Sequence, residues 1–143
     1  MRVLIVKILP RLISLLIVLF VLTTLFTSET TMQQPANWWV APKSADTIKN
    51  PFVNNVDATA KGKALFTKMC VVCHGSKGKG DGVAGVNLHP RPENLTISYI
   101  QKQTDGAIFW KITTGKAPMA SYRKTFTNAQ RWSLVNYIRD LAK

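Results

Sequence analysis

Five consecutive residues hold the side chains of this chain best suited to chemistry: Cys70, Val71, Val72, Cys73 and His74. Thiols three residues apart lie on one side of a helix end, so both can bond to one edge of a single flat group. The imidazole that follows can then ligate a metal at the centre of that group. C-x-x-C-H is the attachment signature of c-type haem: the cysteines form thioethers with the porphyrin and the histidine holds the iron. Three other readings are weaker. A thioredoxin-like dithiol belongs in a βαβ setting, and no strand pattern surrounds this pair. Zinc needs four ligands; His89 would complete a Cys2His2 set, but His74 directly adjoins Cys73, which makes tetrahedral geometry awkward. A disulfide over so short a loop does little to close a fold.

A haem held by histidine alone is open to small molecules, whereas a second axial ligand makes it an electron carrier. The candidates are Met69, Met119 and His89. Met69 directly precedes Cys70 and is confined to the side of the attachment site. Met119 stands in Thr113-Thr114-Gly115-Lys116-Ala117-Pro118-Met119, a non-helical setting in which a thioether can be aimed at a fixed point. His89, in Leu88-His89-Pro90-Arg91-Pro92, is the second choice.

Helices must position these groups, because no alternating strand pattern of useful length is present. One is expected from Ala58 to Val72 with Asp57 as N-cap, and a short one from Ile97 to Lys102. A third starts at Thr104-Asp105, carries Ile108 and Ile112 on one face, and ends at Gly115. The last starts with the capping box Thr127-Asn128-Ala129-Gln130 and places Trp132, Val135, Ile138 and Leu141 on one stripe.

In this combination the chain resembles a class I monohaem cytochrome c of the membrane-anchored bacterial type, over about residues 57–141. Gly62-Lys63-Ala64-Leu65-Phe66 is similar to the N-terminal helix of that family, where the glycine lets the last helix cross closely. His74 to Gly82 is similar to its glycine-rich loop, and Trp132 to Ile138 to its closing helix. The resemblance implies an all-α fold of about four helices around one covalent haem c. It implies Cys70 and Cys73 as attachment points and His74 and Met119 as iron ligands. It also implies a carbonyl in the proline segment, Pro90 before Pro92, that accepts the Nδ1–H of His74 and fixes its tautomer. The function implied is one-electron transfer rather than catalysis. A haem peroxidase or gas-binding protein with an open sixth site is the alternative.

The chain has 143 residues, and aliphatic, aromatic and Cys residues make up 46% of it. That length suits one domain with an appendage and excludes a two-domain enzyme. Residues 12–28 carry no charge and Arg2, Lys7 and Arg11 precede them. As a helix they extend about 25 Å, a short membrane span that needs Arg11 to reach the interface. Either an uncleaved anchor or a signal segment exports the remainder to the periplasmic side of a bacterial cytoplasmic membrane. The expected organisation is therefore an anchor or signal segment at 1–28, an extended linker at 29–56 and a cytochrome c domain at 57–143. Trp38 and Trp39 suit either the membrane interface or packing on the domain.

The net charge of +12 favours anionic partners. Lys61, Lys63, Lys68, Lys77, Lys79, Lys116, Arg123 and Lys124 stand in segments expected near the haem edge, where they would steer a redox partner with an acidic docking face. Export and the absence of a recognition motif argue against nucleic acid. The Trp38-Trp39 region and Gln103 to Trp110 resemble small cytochromes c found with quinol-oxidising or terminal oxidase complexes. Either a tethered carrier or a subunit of such a complex is therefore expected.

Overall fold

The three longer helices among residues 39–143 begin at side-chain caps, and two of the five helices there end at a glycine with positive φ. A computed structural model describes residues 13–17, 20 and 39–143. Residues 13–17 and 20 are helical and exposed and fall in one unit, Met1–Trp38, while Trp39–Lys143 make a second. Most of the expected anchor or signal segment lies outside the described residues. Among the described residues, no helix is long and apolar enough to cross a membrane.

Helix α1 is Val56–Met69, and its N-cap is Asn55, whose side chain accepts from Ala58 N. The cap expected at Asp57 is thus two residues late. Asp57 sits inside the first turn, where its charge suits the positive end of the helix dipole. The first helix was expected to be continuous to Val72, but it breaks at Cys70, and α2 spans Val71–His74. Gly75, at φ 75°, closes α2. Helix α3 is Ser98–Gln101.

Helix α4 is Asp105–Thr114, capped by the Thr104 side chain on Ala107 N and ended by Gly115 at φ 65°. Helix α5 is Asn128–Asp140, with the capping box of Thr127 and Gln130 formed in both directions. Short 3-10 turns at Lys43–Thr47 and Gly85–Asn87 complete the order. Among the described residues there is no strand, only an isolated bridge between Lys116 and Met119, as the all-α expectation required.

Ala58, Gly62 and Phe66 repeat every four residues and form the buried stripe of α1. That stripe meets α5 at Gly62, where a Cβ would stand 1.9 Å from Ser133 O. Phe66 then reaches Tyr137 edge to face at 5.2 Å, and Phe109 of α4 stacks on Trp132 of α5 at 4.0 Å. Phe66, Leu134 and Val135 are almost wholly inaccessible at the centre.

Residues 39–56 differ from the extended linker expected of them. Ala45 is buried, and a Cβ on Gly106 would meet Ala45 O at 2.0 Å, so the 3-10 turn lies directly on α4. Asn50 Nδ2 donates to both Asp105 Oδ2 and Asn136 Oδ1. Trp39 packs on Trp110 at 6.0 Å with Lys111 over its ring. Proline density predicts an extended path because it restricts φ, but single contacts of this kind leave no sequence period to read. Trp38 lies outside the described residues.

Candidate haem site

The attachment motif occupies α2 and the residue before it. Cys70 N donates to Phe66 O at 2.8 Å and His74 N donates to Cys70 O at 2.8 Å, so the break between α1 and α2 keeps both sides hydrogen-bonded. The C-terminal carbonyls of a helix lack partners within it, and the following loop supplies them. Gly80 N donates to His74 O, Gly82 N to Cys73 O and Ala84 N to Val72 O. Gly85 is required here by close approach, since a Cβ on it would stand 2.0 Å from Cys73 O.

Cys70 and Cys73 are both free and partly buried. The Cys70 thiol is pushed up to about 11, first by burial and then by the neighbouring Cys73. A dithiol redox centre needs a lowered thiol pKa, so this environment argues against one. Among the described residues no three His, Cys, Asp or Glu side chains are grouped to hold a metal ion by themselves, which removes the Cys2His2 zinc reading. His89 is exposed.

His74 is half-buried and its ring stands 6.3 Å from that of Phe66. Burial lowers its pKa, and the backbone of Glu93 pulls weakly the other way. The imidazole is therefore kept in its neutral, ligating form. Its Nδ1 is buried with no partner in hydrogen-bonding geometry. The backbone group that acts on the ring belongs to Glu93, three residues beyond the carbonyl expected at Pro90, and Pro90 is exposed. Pro92 lies against the loop, because a Cβ on Gly80 would meet Pro92 O at 2.2 Å.

Met119 is fixed by a tight loop after α4. Lys116 N donates to Met119 O at 3.0 Å and Met119 N to Lys116 O at 2.8 Å. Ser121 Oγ donates to Thr113 O and Tyr122 N to Ile112 O, so the loop is tied back along α4. Met119, Cys70, Met69 and Tyr122 are all partly buried against the same apolar core. The fold thus brings Met119 and the attachment cysteine to one core, and it leaves Pro90 at the surface.

Tyr122 and Arg131 were not anticipated. Burial first, and then the thiols at Cys70 and Cys73, push the Tyr122 phenol up, and Arg131 is buried on α5 with two unpartnered nitrogens. Neither sits in a motif: Tyr122 lies in the loop before α5, and the only sequence signal for Arg131 is a polar residue inside the apolar pattern of α5.

Two free thiols on one helix end, a neutral buried imidazole and incompletely covered Met and Tyr side chains fit a covalent haem. Residues 57–138 match the family described as cytochrome c oxidase, cbb3-type, subunit III. No curated protein matches the chain. Among solved structures it is similar to a chain of the Kuenenia stuttgartiensis reducing HAO-like protein complex Kustc0457/Kustc0458. The TM-score is 0.56 and the identity 23%, covering 67% of this chain and 47% of that one. At that identity the likeness concerns the fold, and this chain spans about half the length of its neighbour.

Proposed function

We propose, from the premise that this chain belongs to the family of cbb3-type cytochrome c oxidase subunit III, that it transfers single electrons through an iron held between His74 and Met119. Membership carries the coarser statement: a c-type cytochrome domain with one covalent haem c, serving electron transfer. When bound, the haem supplies a one-electron iron couple. The residues of the chain do the rest. Cys70 and Cys73 would hold the group, and burial keeps His74 neutral. The Met119 loop offers a thioether, a ligand that raises the reduction potential relative to a second histidine. The observation that carries the reading is that Met119, in a loop pinned at both ends, shares one core with Cys70.

Carbon monoxide tests it, since a ligand in the sixth position excludes the gas. The reduced wild-type protein is expected to resist carbon monoxide, and Met119→Ala is expected to bind it with a large shift of the Soret band. Ready binding by the wild type would instead favour the open-site alternative.

Export and a place in a respiratory chain belong to the same proposal. They are supported by the uncharged run at 12–28 behind three basic residues. The eight basic residues expected near the haem edge are all exposed, which suits steering toward an acidic redox partner. A quinol-oxidising complex or a terminal oxidase is the partner class proposed. A haem-stained native gel of gently solubilised membranes separates a bound subunit, seen in a large band, from a tethered carrier near monomer mass.

A further inference from the structure

Helix α5 ends between two surface grooves. One has a volume of about 530 Å³ and is lined by Lys77 and Lys79 of the glycine-rich loop. The other has a volume of about 360 Å³ and is lined by Lys63 of α1 and by Asp140. Tyr137 and Lys143 line both, so the grooves meet at the end of α5. Four lysine side chains thus stand against one carboxylate, and Asp140 is already paired with Lys143 at 3.2 Å. All four lysines are exposed, and a basic surface of this kind draws in an acidic protein face.

A column of rings leads inward from these grooves. Tyr137 is only 8% exposed, and its ring meets Phe66 edge to face at 5.2 Å. Phe66 is sealed in the core, and its ring stands 6.3 Å from that of His74. Both separations lie within aromatic contact, about 4.5–7 Å between centroids. The imidazole of the attachment motif is therefore joined to the grooves by two rings in series. Packing alone explains the contact between Phe66 and Tyr137. It does not explain why lysines gather where that column comes to the surface.

We propose that these grooves seat an acidic redox protein, and that Tyr137 and Phe66 couple it to the iron through His74. The partner is a one-electron metalloprotein in its reduced state. One electron passes from its metal to ferric iron, which becomes ferrous; no bond forms or breaks, and neither ring is oxidised. The inference rests on the covalent haem and its electron transfer and is independent of Met119. It gives the acidic partner a docking place at the end of α5.

Two measurements on the haem-loaded protein test it. In the first, polyglutamate stands in for the acidic face, and backbone amide NMR signals are followed in wild type and in Lys77→Glu/Lys79→Glu/Lys143→Glu. Shifts are expected at Lys63, Lys77, Tyr137 and Lys143 of the wild type, with loss of those shifts in the triple variant. No shift at these residues would overturn the proposal, even if other basic segments respond. In the second, a ruthenium polypyridine photoreductant is attached at Ala142→Cys, in the larger groove, or at Ala129→Cys, exposed at the other end of α5. Tyr137→Leu and Phe66→Leu are expected to slow iron reduction several-fold from the label at 142 but not from the label at 129. Tyr137→Phe is expected to recover the wild-type rate. Equal slowing from both labels would assign the rings to packing, and an unchanged rate from 142 would place the route elsewhere; either result overturns the proposal. If Phe66→Leu does not accumulate, Tyr137→Leu, nearer the surface, decides. A wild-type iron that takes no electron from either label would instead overturn the electron-transfer reading itself.

Discussion

Tyr122 packs on the same core as Met119 and Cys70, and its ionisation is a direct probe of that burial. Its backbone bonds to Ile112 O, and its ring stacks on Phe126 at 5.1 Å and 7°. The phenol is held above its usual range, mainly by burial and further by the thiols at Cys70 and Cys73. Once the sulfurs are thioethers they carry no charge, and burial alone remains. An acid whose folded pKa is raised contributes stability that is intact below the unfolded value, near 10, and lost as pH climbs through the folded one. The denaturant midpoint of the loaded wild type is therefore expected to fall faster than that of Tyr122→Phe as pH rises above about 10. Parallel profiles would mean that the hydroxyl is solvated. The contrast with Cys70, Cys73 and His74 shows what a sequence can display. Covalent attachment to one flat group fixes the spacing of those three, so the motif is visible in isolation. Tyr122, Arg131 and Glu93 acquire their surroundings only when distant segments meet, and no local pattern marks them.

At the scale of elements, the crossing of α1 and α5 sets the frame on which the site hangs. A methyl group on Gly62 would stand 1.9 Å from Ser133 O and 3.0 Å from Tyr137 Cβ, and the first of these is backbone that cannot turn aside. Gly62→Ala gains about 1 kcal/mol in helix propensity, but overpacking costs about 1–3 kcal/mol, and more where backbone must move. A net loss of about 2 kcal/mol is expected, read as a lower urea midpoint of the loaded protein; an unchanged or raised midpoint would show that the helices separate easily. This glycine was legible because a glycine inside a helix needs a reason and the resemblance supplied one. The capping box at Thr127 was legible because its chemistry is local. The break at Cys70 was not, since the apolar and basic pattern runs through it without interruption. Nor was the docking of residues 39–56, which depends on Asn50 reaching Asp105 and Asn136 from 55 and 86 residues away.

Across the whole molecule, the core is finished on one side and open on the other. Phe66, Leu134 and Val135 are sealed between α1 and α5, whereas Met69, Cys70, Met119 and Tyr122 pack on the same core only partly covered. A domain of roughly a hundred residues buries too little surface to leave such a flank exposed without loss, and apolar area is worth about 25 cal/mol per Å² when withdrawn from water. The porphyrin is a large apolar plate that Cys70 and Cys73 would hold, and Cys70 packs on this core. Its thioethers therefore act on the fold as well as on the chemistry, because without them the covering surface is free to leave. Cys70→Ala/Cys73→Ala protein is expected to be largely unfolded. The reporter is internal: Trp132 stacked on Phe109 gives near-UV ellipticity only while that pair is held in one geometry. Loss of the signal in the double variant, with its return on reassociation with free haem, would place the cofactor within the core. A near-UV spectrum retained in the double variant without haem would mean that the helices and the docked segment at 39–56 suffice for the fold.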